Sequence, residues 1–254
     1  MGLERQSTDL SRVLAGTDYL RARLKPTLRD PNYLVFEDLR HFIARSVGSI
    51  QGKVFDYGCG GSPYEELFPA GTEYIGADIT PGPEVDRVLL ASGMTGEPGG
   101  SYDLVLSTQV LEHVSNPESY LKECFRILKP GGILLLTTHG MFEEHGCPHD
   151  YYRWTSQGLE TLVAAAGFSV RKSSKLTAGV RAVVFLLNRF VEHLGACPGS
   201  ACRFAFKCLR KLSRLCLFGA FNFFAAKCTS QAEIAGSEEN PFYILVAVIA
   251  DKAG

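Results

Sequence analysis

Among the features of this sequence, a glycine-rich turn directly after an apolar strand places the strongest constraint on the fold. The segment KVFDYG (53–58) has the length and composition of a buried strand, and it continues into a turn that contains Gly58 and Gly60. Glycines at this place allow a tight turn and a close approach of backbone N–H groups to a ligand. Asp78 ends the next predicted strand, 22 residues after Asp56, where a carboxylate accepts hydrogen bonds from ribose hydroxyls. The combination predicts a nucleoside-containing ligand at this edge of a sheet.

Strands and helices alternate along most of the sequence. The segment 32–47 carries its apolar residues on one helical stripe, and Thr155 and Gly167 mark the start and the stop of a later helix. Helices are predicted over 32–47, 117–130 and 155–168, and strands over 53–58, 73–79, 85–91, 102–108, 131–139, 169–176 and 242–251. This alternation is typical of a parallel, doubly wound α/β sheet.

The residues around the turn distinguish between two kinds of cofactor. A dinucleotide needs a third glycine so that a helix N-terminus can approach the pyrophosphate, and Pro63 stands at that position. Asp56, before the first glycine, would repel a pyrophosphate but is a good acceptor for an ammonium group. The chemistry therefore favours S-adenosylmethionine, which carries an amino-acid moiety. An NAD-dependent oxidoreductase stays as a disfavoured alternative.

Four segments resemble the successive motifs of one enzyme family: VFDYGCG, GADI, YDLVLSTQVLEHV and CFRILKPGGILLLTT. In this order they are similar to the motifs of class I S-adenosylmethionine-dependent methyltransferases, and most similar to the small-molecule type 11 group. The resemblance covers about residues 50–170. It implies an α/β fold with a Rossmann-like, seven-stranded, mostly parallel sheet, an antiparallel last strand and helices on both faces.

The resemblance and the composition together divide the chain into four parts. We expect an N-terminal arm and helix over 1–48 and a methyltransferase core over 49–177. An apolar and basic helical insertion is expected over 178–230, and a final strand over 231–254 completes the core.

The resemblance also implies the cofactor-binding residues. From the methionine end to the adenine and then to the reacting methyl group, they are Asp56, Gly58, Cys59, Gly60, Asp78, Ile79, Met94 and Gln109. The product would be S-adenosylhomocysteine. One position departs from the family pattern, because no acid stands near Ala91 or Ser92, where an aspartate usually binds the adenine amino group. Adenine binding would then depend on backbone groups and Met94.

The segment HGCPHDYYRW (145–154) follows the fifth predicted strand, at the edge of the sheet where ligands bind in this fold. Methyl transfer to oxygen or nitrogen removes a proton, and a histidine with a pKa of about 6.5 accepts one at neutral pH. His145 and His149 are therefore the predicted catalytic bases. The residues predicted to contact the substrate are His113, His139, Asp150, Tyr151, Tyr152 and Arg153.

Several of these residues have a structural alternative. His113 follows the fourth strand, where a histidine often bonds only to nearby backbone. Arg153 either pairs with a substrate carboxylate or phosphate, or forms a clasp with Asp150 that holds the loop. Trp154 precedes the predicted Thr155 cap, which indicates a hydrophobic staple.

His145, Cys147 and His149 form the pattern HxCxH, and their side chains are chemically capable of holding an ion. Structural zinc sites use four ligands, however, and this spacing matches no familiar pattern. We therefore expect no metal site.

Composition limits the partners. A formal charge of −1 disfavours nucleic acid, and the first residues lack the apolar stretch of a secretory leader. No apolar run approaches the roughly 20 residues of a spanning helix. The eight cysteines have irregular spacing and form no CxxC pair, which predicts reduced, packed cysteines and, without a secretory leader, a cytoplasmic protein. The segment 179–227 combines apolar residues with eight Lys or Arg and a single acid. It is predicted to form a lid, a homodimer interface or a peripheral membrane contact.

The predicted function is transfer of a methyl group from S-adenosylmethionine to an oxygen or nitrogen atom of a small molecule by in-line displacement. A glycan- or lipid-linked acceptor is included in this expectation. The alternative from a different class is a catalytically silent module with the cofactor-binding fold. Such a module would bind a membrane or a protein partner through its C-terminal helices.

Overall fold

Seven strands form one sheet in the computed structural model, which describes residues 17–48, 50–90, 93–146, 149–193, 211–212, 217–228 and 240–253. The strands are β1 (Lys53–Tyr57), β2 (Glu73–Asp78), β3 (Arg87–Val88), β4 (Tyr102–Thr108), β5 (Leu128–His139), β6 (Phe168–Ala178) and β7 (Tyr243–Lys252). Their order across the sheet is β3-β2-β1-β4-β5-β7-β6. Strands β1 to β5 pair in parallel, whereas β7 is antiparallel to both β5 and β6. The predicted Rossmann-like sheet with an antiparallel last strand is confirmed.

Six α-helices with described bounds accompany the sheet. They are α1 (Thr17–Leu24), α2 (Tyr33–Val47), α3 (Pro117–Ile127), α4 (Ser156–Ala165), α5 (Val180–His193) and α6 (Phe218–Lys227). Two 3₁₀ helices span Glu65–Leu67 and Leu111–His113. Among the described residues, no helix has both the length and the apolar character that crossing a membrane requires.

The helices bury the two faces of the sheet in two separate cores. Successive residues of a strand point to opposite faces, so Val54 and Phe55 of β1 belong to different cores. On the face of Val54, Leu34 of α2 and Phe185 of α5 are fully buried. On the face of Phe55, α3 and α4 supply residues such as Leu121. Helices on both faces leave the ends of the strands for ligands.

The start of the predicted insertion is anchored in the same core as α2. The fully buried Arg181 of α5 donates from Nη2 to Asp38 Oδ1 at 2.6 Å and from Nε to Asp38 Oδ2 at 3.0 Å. The Thr177 hydroxyl also donates to Asp38 Oδ2, at 2.8 Å, and Glu37 accepts a further bond from Arg181. Burial raises the pKa of Asp38 to about 6, although Arg181 opposes the shift. The ion pair joins two helices that lie far apart in the sequence.

The helix predicted over 117–130 ends earlier than expected. In the structure it ends at Ile127, and β5 begins at Leu128 and includes Pro130. A proline disfavours helical dihedrals at the preceding residue, so Lys129 extends the strand instead of the helix. The proline therefore acts before its own position.

Other predicted elements agree with the structure to different degrees. The helix predicted over 32–47 is confirmed, and its apolar stripe is buried at Leu34, Leu39, Phe42 and Ile43. The strand predicted over 85–91 is reduced to two residues. Of the predicted helical insertion over 178–230, residues 194–210, 213–216 and 229–230 lie outside the described residues.

Candidate active site

The glycine-rich turn leaves β1 at the carboxyl edge of the sheet. The backbone N–H groups of Gly58 and Cys59 both donate to the Ala77 carbonyl oxygen, at 2.8 and 3.0 Å. Gly58 has φ +85°, and a Cβ atom there would lie 2.5 Å from the Val110 side chain, so only glycine fits. A Cβ atom at Gly60 would meet nothing within 4 Å. The turn is thus packed against the sheet at Gly58 and open at Gly60, where a ligand has room.

Asp78 joins this turn to the end of β2. Its Oδ2 accepts from the Gly60 N–H at 3.0 Å, and its Oδ1 accepts from the Thr80 N–H at 2.8 Å. Each carboxylate oxygen has two lone pairs, so both oxygens keep a site for a ribose hydroxyl. Burial raises the pKa of the Cys59 thiol, which favours its neutral form. Cys59 joins the turn to the sheet through its backbone N–H. The open turn and the predicted ribose acceptor are therefore held side by side.

Asp56 is a buried carboxyl near the end of β1. Its Oδ2 accepts from the Tyr74 hydroxyl at 2.5 Å, whereas its Oδ1 makes no hydrogen bond. Burial raises the pKa of Asp56 to about 7, and the Tyr74 hydrogen bond offsets only part of this shift. A buried oxygen without a partner is costly, and a bound ammonium group would satisfy it. Asp56 thus fits the amino end of S-adenosylmethionine. No sequence pattern had singled out Tyr74.

Gln109 follows β4 with a left-handed backbone, φ +58°, which is uncommon for a residue other than glycine. Its N–H donates to the Thr137 carbonyl at 2.9 Å, and its Nε2 donates to the Thr137 hydroxyl at 3.0 Å. The Gln109 Oε1 atom is buried and makes no hydrogen bond. Residues held in sparsely populated conformations cluster at functional sites. These observations fit the predicted position of Gln109 near the reacting methyl group.

Apolar side chains are exposed at the place predicted for the adenine. Ile79 is 51% exposed and Met94 is 48% exposed. The loop after Met94 is held by Glu123, which accepts from the Thr95 N–H at 3.0 Å and from its hydroxyl at 2.5 Å. The sequence had not singled out Glu123. The position of the missing family aspartate, 91–92, lies outside the described residues.

A buried carboxylate and three histidines meet beyond the ends of β4 and β5. The Oε2 of the fully buried Glu112 accepts from the Thr138 hydroxyl at 2.8 Å. Its Oε1 lies 2.5 Å from His139 Nδ1 and 3.9 Å from His113 Nε2. The ring centroid of His145 lies 4.9 Å from each of the other two. Burial alone would raise the pKa of Glu112, but the charge and the hydrogen bond of His139, together with the charge of His113, lower it.

The two histidines predicted as catalytic bases lie in different surroundings. The His145 N–H donates to Asp150 Oδ2 at 2.8 Å, and its Nδ1 lies 3.3 Å from the Glu143 carbonyl oxygen. Burial and the charges of His139 and His113 lower the pKa of His145. The His149 ring is exposed, and only its carbonyl oxygen reaches the cluster, 2.6 Å from His113 Nδ1. The structure thus brings the ring of His145, but not that of His149, to the other histidines.

Arg153 and Asp150 form a bidentate pair within the loop. Arg153 donates from Nη1 to Asp150 Oδ1 at 2.5 Å and from Nη2 to Oδ2 at 2.6 Å. It also donates to the carbonyl oxygens of Phe142, Glu143 and Tyr152. Burial raises the pKa of Asp150, but the hydrogen bonds from Arg153 outweigh this and lower it. The geometry supports the clasp interpretation, and a substrate contact of Arg153 stays a prediction.

The remaining residues of the loop divide into exposed and packed ones. Tyr151 and Tyr152 are exposed, as a substrate contact requires. Trp154 packs against the core, in agreement with a staple. The Thr155 hydroxyl accepts a backbone N–H of the first turn of α4, which confirms the predicted cap. Cys147 lies outside the described residues.

A cavity of about 530 Å³ lies between this loop and α5. Met141, Phe142, Leu186 and Phe190 give it apolar walls. An ion pair between Glu143 and Arg189 lies in the same wall.

A family model described as a methyltransferase domain matches residues 23–173, which is more than half of the chain. The chain belongs to this methyltransferase family. The predicted resemblance to class I S-adenosylmethionine-dependent methyltransferases and the predicted cofactor are confirmed.

Relatives of known name align with only part of this methyltransferase chain. The ubiquinone biosynthesis O-methyltransferase of Cereibacter sphaeroides is 33% identical over an alignment of 100 residues, which covers 34% of this chain and 40% of that enzyme. The enzyme of the same name from Pseudomonas aeruginosa is 33% identical over an alignment of 113 residues, which covers 39% of this chain and 49% of that enzyme. The chain thus spans less than half the length of these relatives. The solved phosphoethanolamine N-methyltransferase 2 of Haemonchus contortus, in complex with S-adenosyl-L-methionine, is 15% identical with a TM-score of 0.54, covering 96% of this chain and 60% of that one. This likeness shows the fold alone.

Proposed function

We propose that this methyltransferase transfers the methyl group of S-adenosylmethionine to an oxygen atom of a small-molecule acceptor and releases S-adenosylhomocysteine. One observation carries the proposal: the buried Asp56 has an oxygen without a partner, and Asp78 lies beside the open turn at Gly60. These groups are complementary to the ammonium group and the ribose hydroxyls of the cofactor. When bound, the cofactor supplies a sulfonium-linked methyl group that an acceptor displaces in line.

The residues around the transferred methyl group act mainly by positioning. Gln109 is fixed by two hydrogen bonds to Thr137, so its unpartnered Oε1 keeps a defined direction. The clasp between Asp150 and Arg153 holds the loop over the same edge of the sheet. Fixing two reactants in a productive geometry supplies a large part of the acceleration of a bimolecular step.

Oxygen is favoured as the acceptor atom because the relatives in Cereibacter sphaeroides and Pseudomonas aeruginosa are named as O-methyltransferases. The apolar walls of the cavity beside α5 suit an acceptor with an apolar part, such as a lipid-linked one. His113, His139, Tyr151 and Tyr152 are the proposed acceptor contacts, and the His139 ring lies against Phe142 in the cavity wall, with ring centroids 4.0 Å apart. Both tyrosine side chains are exposed, and the Tyr152 hydroxyl, which donates to the Ser115 carbonyl oxygen at 3.3 Å, can still accept a hydrogen bond from a polar end of the acceptor.

The segment 179–227 is proposed to contact a further surface. On α5, Val183 is 59% exposed and Phe190 is 63% exposed, and α6 exposes Phe223 and Phe224. Exposed apolar side chains in such number support a lid, a second copy of the chain or a peripheral membrane contact. The same surface is what supports the alternative function, a silent module that binds a partner.

Calorimetric titration with S-adenosylmethionine tests the proposal at its base. We expect binding by the wild type and a loss of most of the affinity in Asp78→Ala, which removes both predicted ribose acceptors. No binding at high micromolar cofactor would refute the enzyme interpretation and leave the silent module. Radiolabelled cofactor incubated with cell extract then identifies the acceptor, with Asp78→Ala as the background. Label on nitrogen instead of oxygen would refute the proposed acceptor class alone.

A further inference from the structure

Three potential metal ligands from two separate segments lie close together. A carboxylate oxygen of Glu112 and one ring nitrogen each of His113 and His145 lie within 4.8 Å of one another. Glu112 and His113 belong to the 3₁₀ helix that follows β4, and His145 lies in the loop that follows β5. The fold therefore assembles a group that the order of residues along the chain does not show.

Backbone carbonyls fix the proton of both imidazoles on Nδ1. The Nδ1 of His113 lies 2.6 Å from the His149 carbonyl oxygen, and the Nδ1 of His145 lies 3.3 Å from that of Glu143. A carbonyl oxygen only accepts hydrogen bonds, so in the neutral rings each Nε2 presents a lone pair. The His113 Nε2 atom lies 3.9 Å from the Glu112 Oε1 atom. Two electron-pair donors at such a separation are complementary to a cation between them.

A second, independent observation comes from the carboxylate. Glu112 is fully buried, and its Oε2 accepts a hydrogen bond from the Thr138 hydroxyl at 2.8 Å. Its Oε1 lies 2.5 Å from the buried His139 Nδ1 atom, so both carboxylate oxygens are oriented by neighbouring side chains. Metal-binding histidines commonly donate their other N–H to a carbonyl, and ligating carboxylates are themselves hydrogen-bonded. The cluster has both kinds of support.

We propose that Glu112, His113 and His145 bind a divalent first-row transition-metal ion, with His139 next to the carboxylate. Two imidazoles and one carboxylate suit ions such as Mn²⁺, Fe²⁺ or Zn²⁺ and leave coordination positions open. The cluster lies at the edge of the sheet where the proposed acceptor binds, so a bound ion would polarise an acceptor hydroxyl and lower its pKa. In this role His145 is a ligand and replaces the catalytic base predicted from the sequence.

Calorimetric titration of the chelator-treated protein with MnCl₂, and separately with ZnCl₂, tests the site without cofactor. We expect one ion per chain, and a loss of more than about 10-fold in Mn²⁺ affinity in both Glu112→Gln and His145→Ala. His149→Ala is the matched control, because it removes an exposed ring from the same loop but keeps the carbonyl that orients His113. This variant should bind Mn²⁺ like the wild type.

The proposal is overturned if the wild type binds neither ion, or if His145→Ala binds Mn²⁺ as tightly as the wild type does. Thermal unfolding of each metal-free variant shows whether it is folded. If Glu112→Gln does not fold, His113→Ala takes its place and must show the same loss of affinity. Titration of the same chelated protein with S-adenosylmethionine separates this proposal from the proposed function, since cofactor binding without metal binding refutes only the metal site.

Discussion

Replacing Asp56 with asparagine should make the cofactor-free protein more resistant to unfolding at high pH while weakening its cofactor binding. The Asp56 side chain is buried, and only one of its oxygens has a hydrogen-bond partner, the Tyr74 hydroxyl. Burial raises its pKa from 3.8 to about 7. An asparagine at this position has nearly the same shape and no charge that must be kept away from water.

The sign and the size of the pH effect on the free energy of unfolding follow from the number of protons bound in the folded and unfolded states. Between pH 4 and pH 7 the folded wild type keeps the Asp56 proton, whereas the unfolded chain has lost it. The free energy of unfolding of the wild type therefore falls with rising pH, by about 1.4 kcal/mol per unit relative to the variant. Over a shift of about 3 units this amounts to ~4 kcal/mol at pH 8, and the difference levels off above the folded pKa. The corresponding change in relative Tm is roughly 10 °C.

Urea unfolding at several pH values between 4 and 8, followed by the fluorescence of Trp154, the only tryptophan, measures this difference. A fixed cost of burying the amide would move the difference equally at every pH, so its slope against pH is the quantity that tests the argument. A difference that does not change with pH would refute the burial of an ionisable carboxyl. Calorimetry at pH 8 should show roughly 10- to 100-fold weaker binding of S-adenosylmethionine by the variant. Unchanged binding would remove Asp56 from the cofactor site.

Four further substitutions test the packing around the site. Asp38→Asn should lower the free energy of unfolding by about 3 kcal/mol, because it leaves the buried guanidinium of Arg181 without its main counter-charge. Urea unfolding measures this difference, and an unchanged free energy of unfolding would contradict the prediction. Gly58→Ala should destabilise the fold by about 2 kcal/mol or more, because its Cβ atom would meet Val110 in addition to the strain of a positive φ. Gly60→Ala should lose only about 1 kcal/mol, from its left-handed backbone, and should bind the cofactor more weakly because its methyl group fills the open side of the turn. Equal stability of the two alanine variants would argue against this distinction. Tyr74→Phe removes a hydrogen bond that lowers the pKa of Asp56, so cofactor affinity should fall several-fold at pH 7 and recover at pH 8. Calorimetric titration at the two pH values measures this change. An equal loss of affinity at both would indicate a steric effect instead.

The fold and the cofactor site were largely predictable because their signals are local in sequence. The glycines at positions 58 and 60 follow a strand directly, and Asp78 ends the next one, so parallel pairing alone puts them at one edge. The stripe of α2 is likewise a property of one short segment. Where a local rule competed with another, as at Pro130, the predicted boundary moved by a few residues but the element persisted.

The order of residues along the chain determined which elements form and which edge of the sheet binds a cofactor, since periodicity and turn chemistry act between near neighbours. It did not determine which side chains share a buried space. His145 was paired in the sequence with His149, four residues away, but the structure sets its ring against His113 and His139 and beside Glu112. Only the tertiary structure decides such groupings, because they depend on how the loops after β4 and β5 pack against each other and on which polar atoms are buried there.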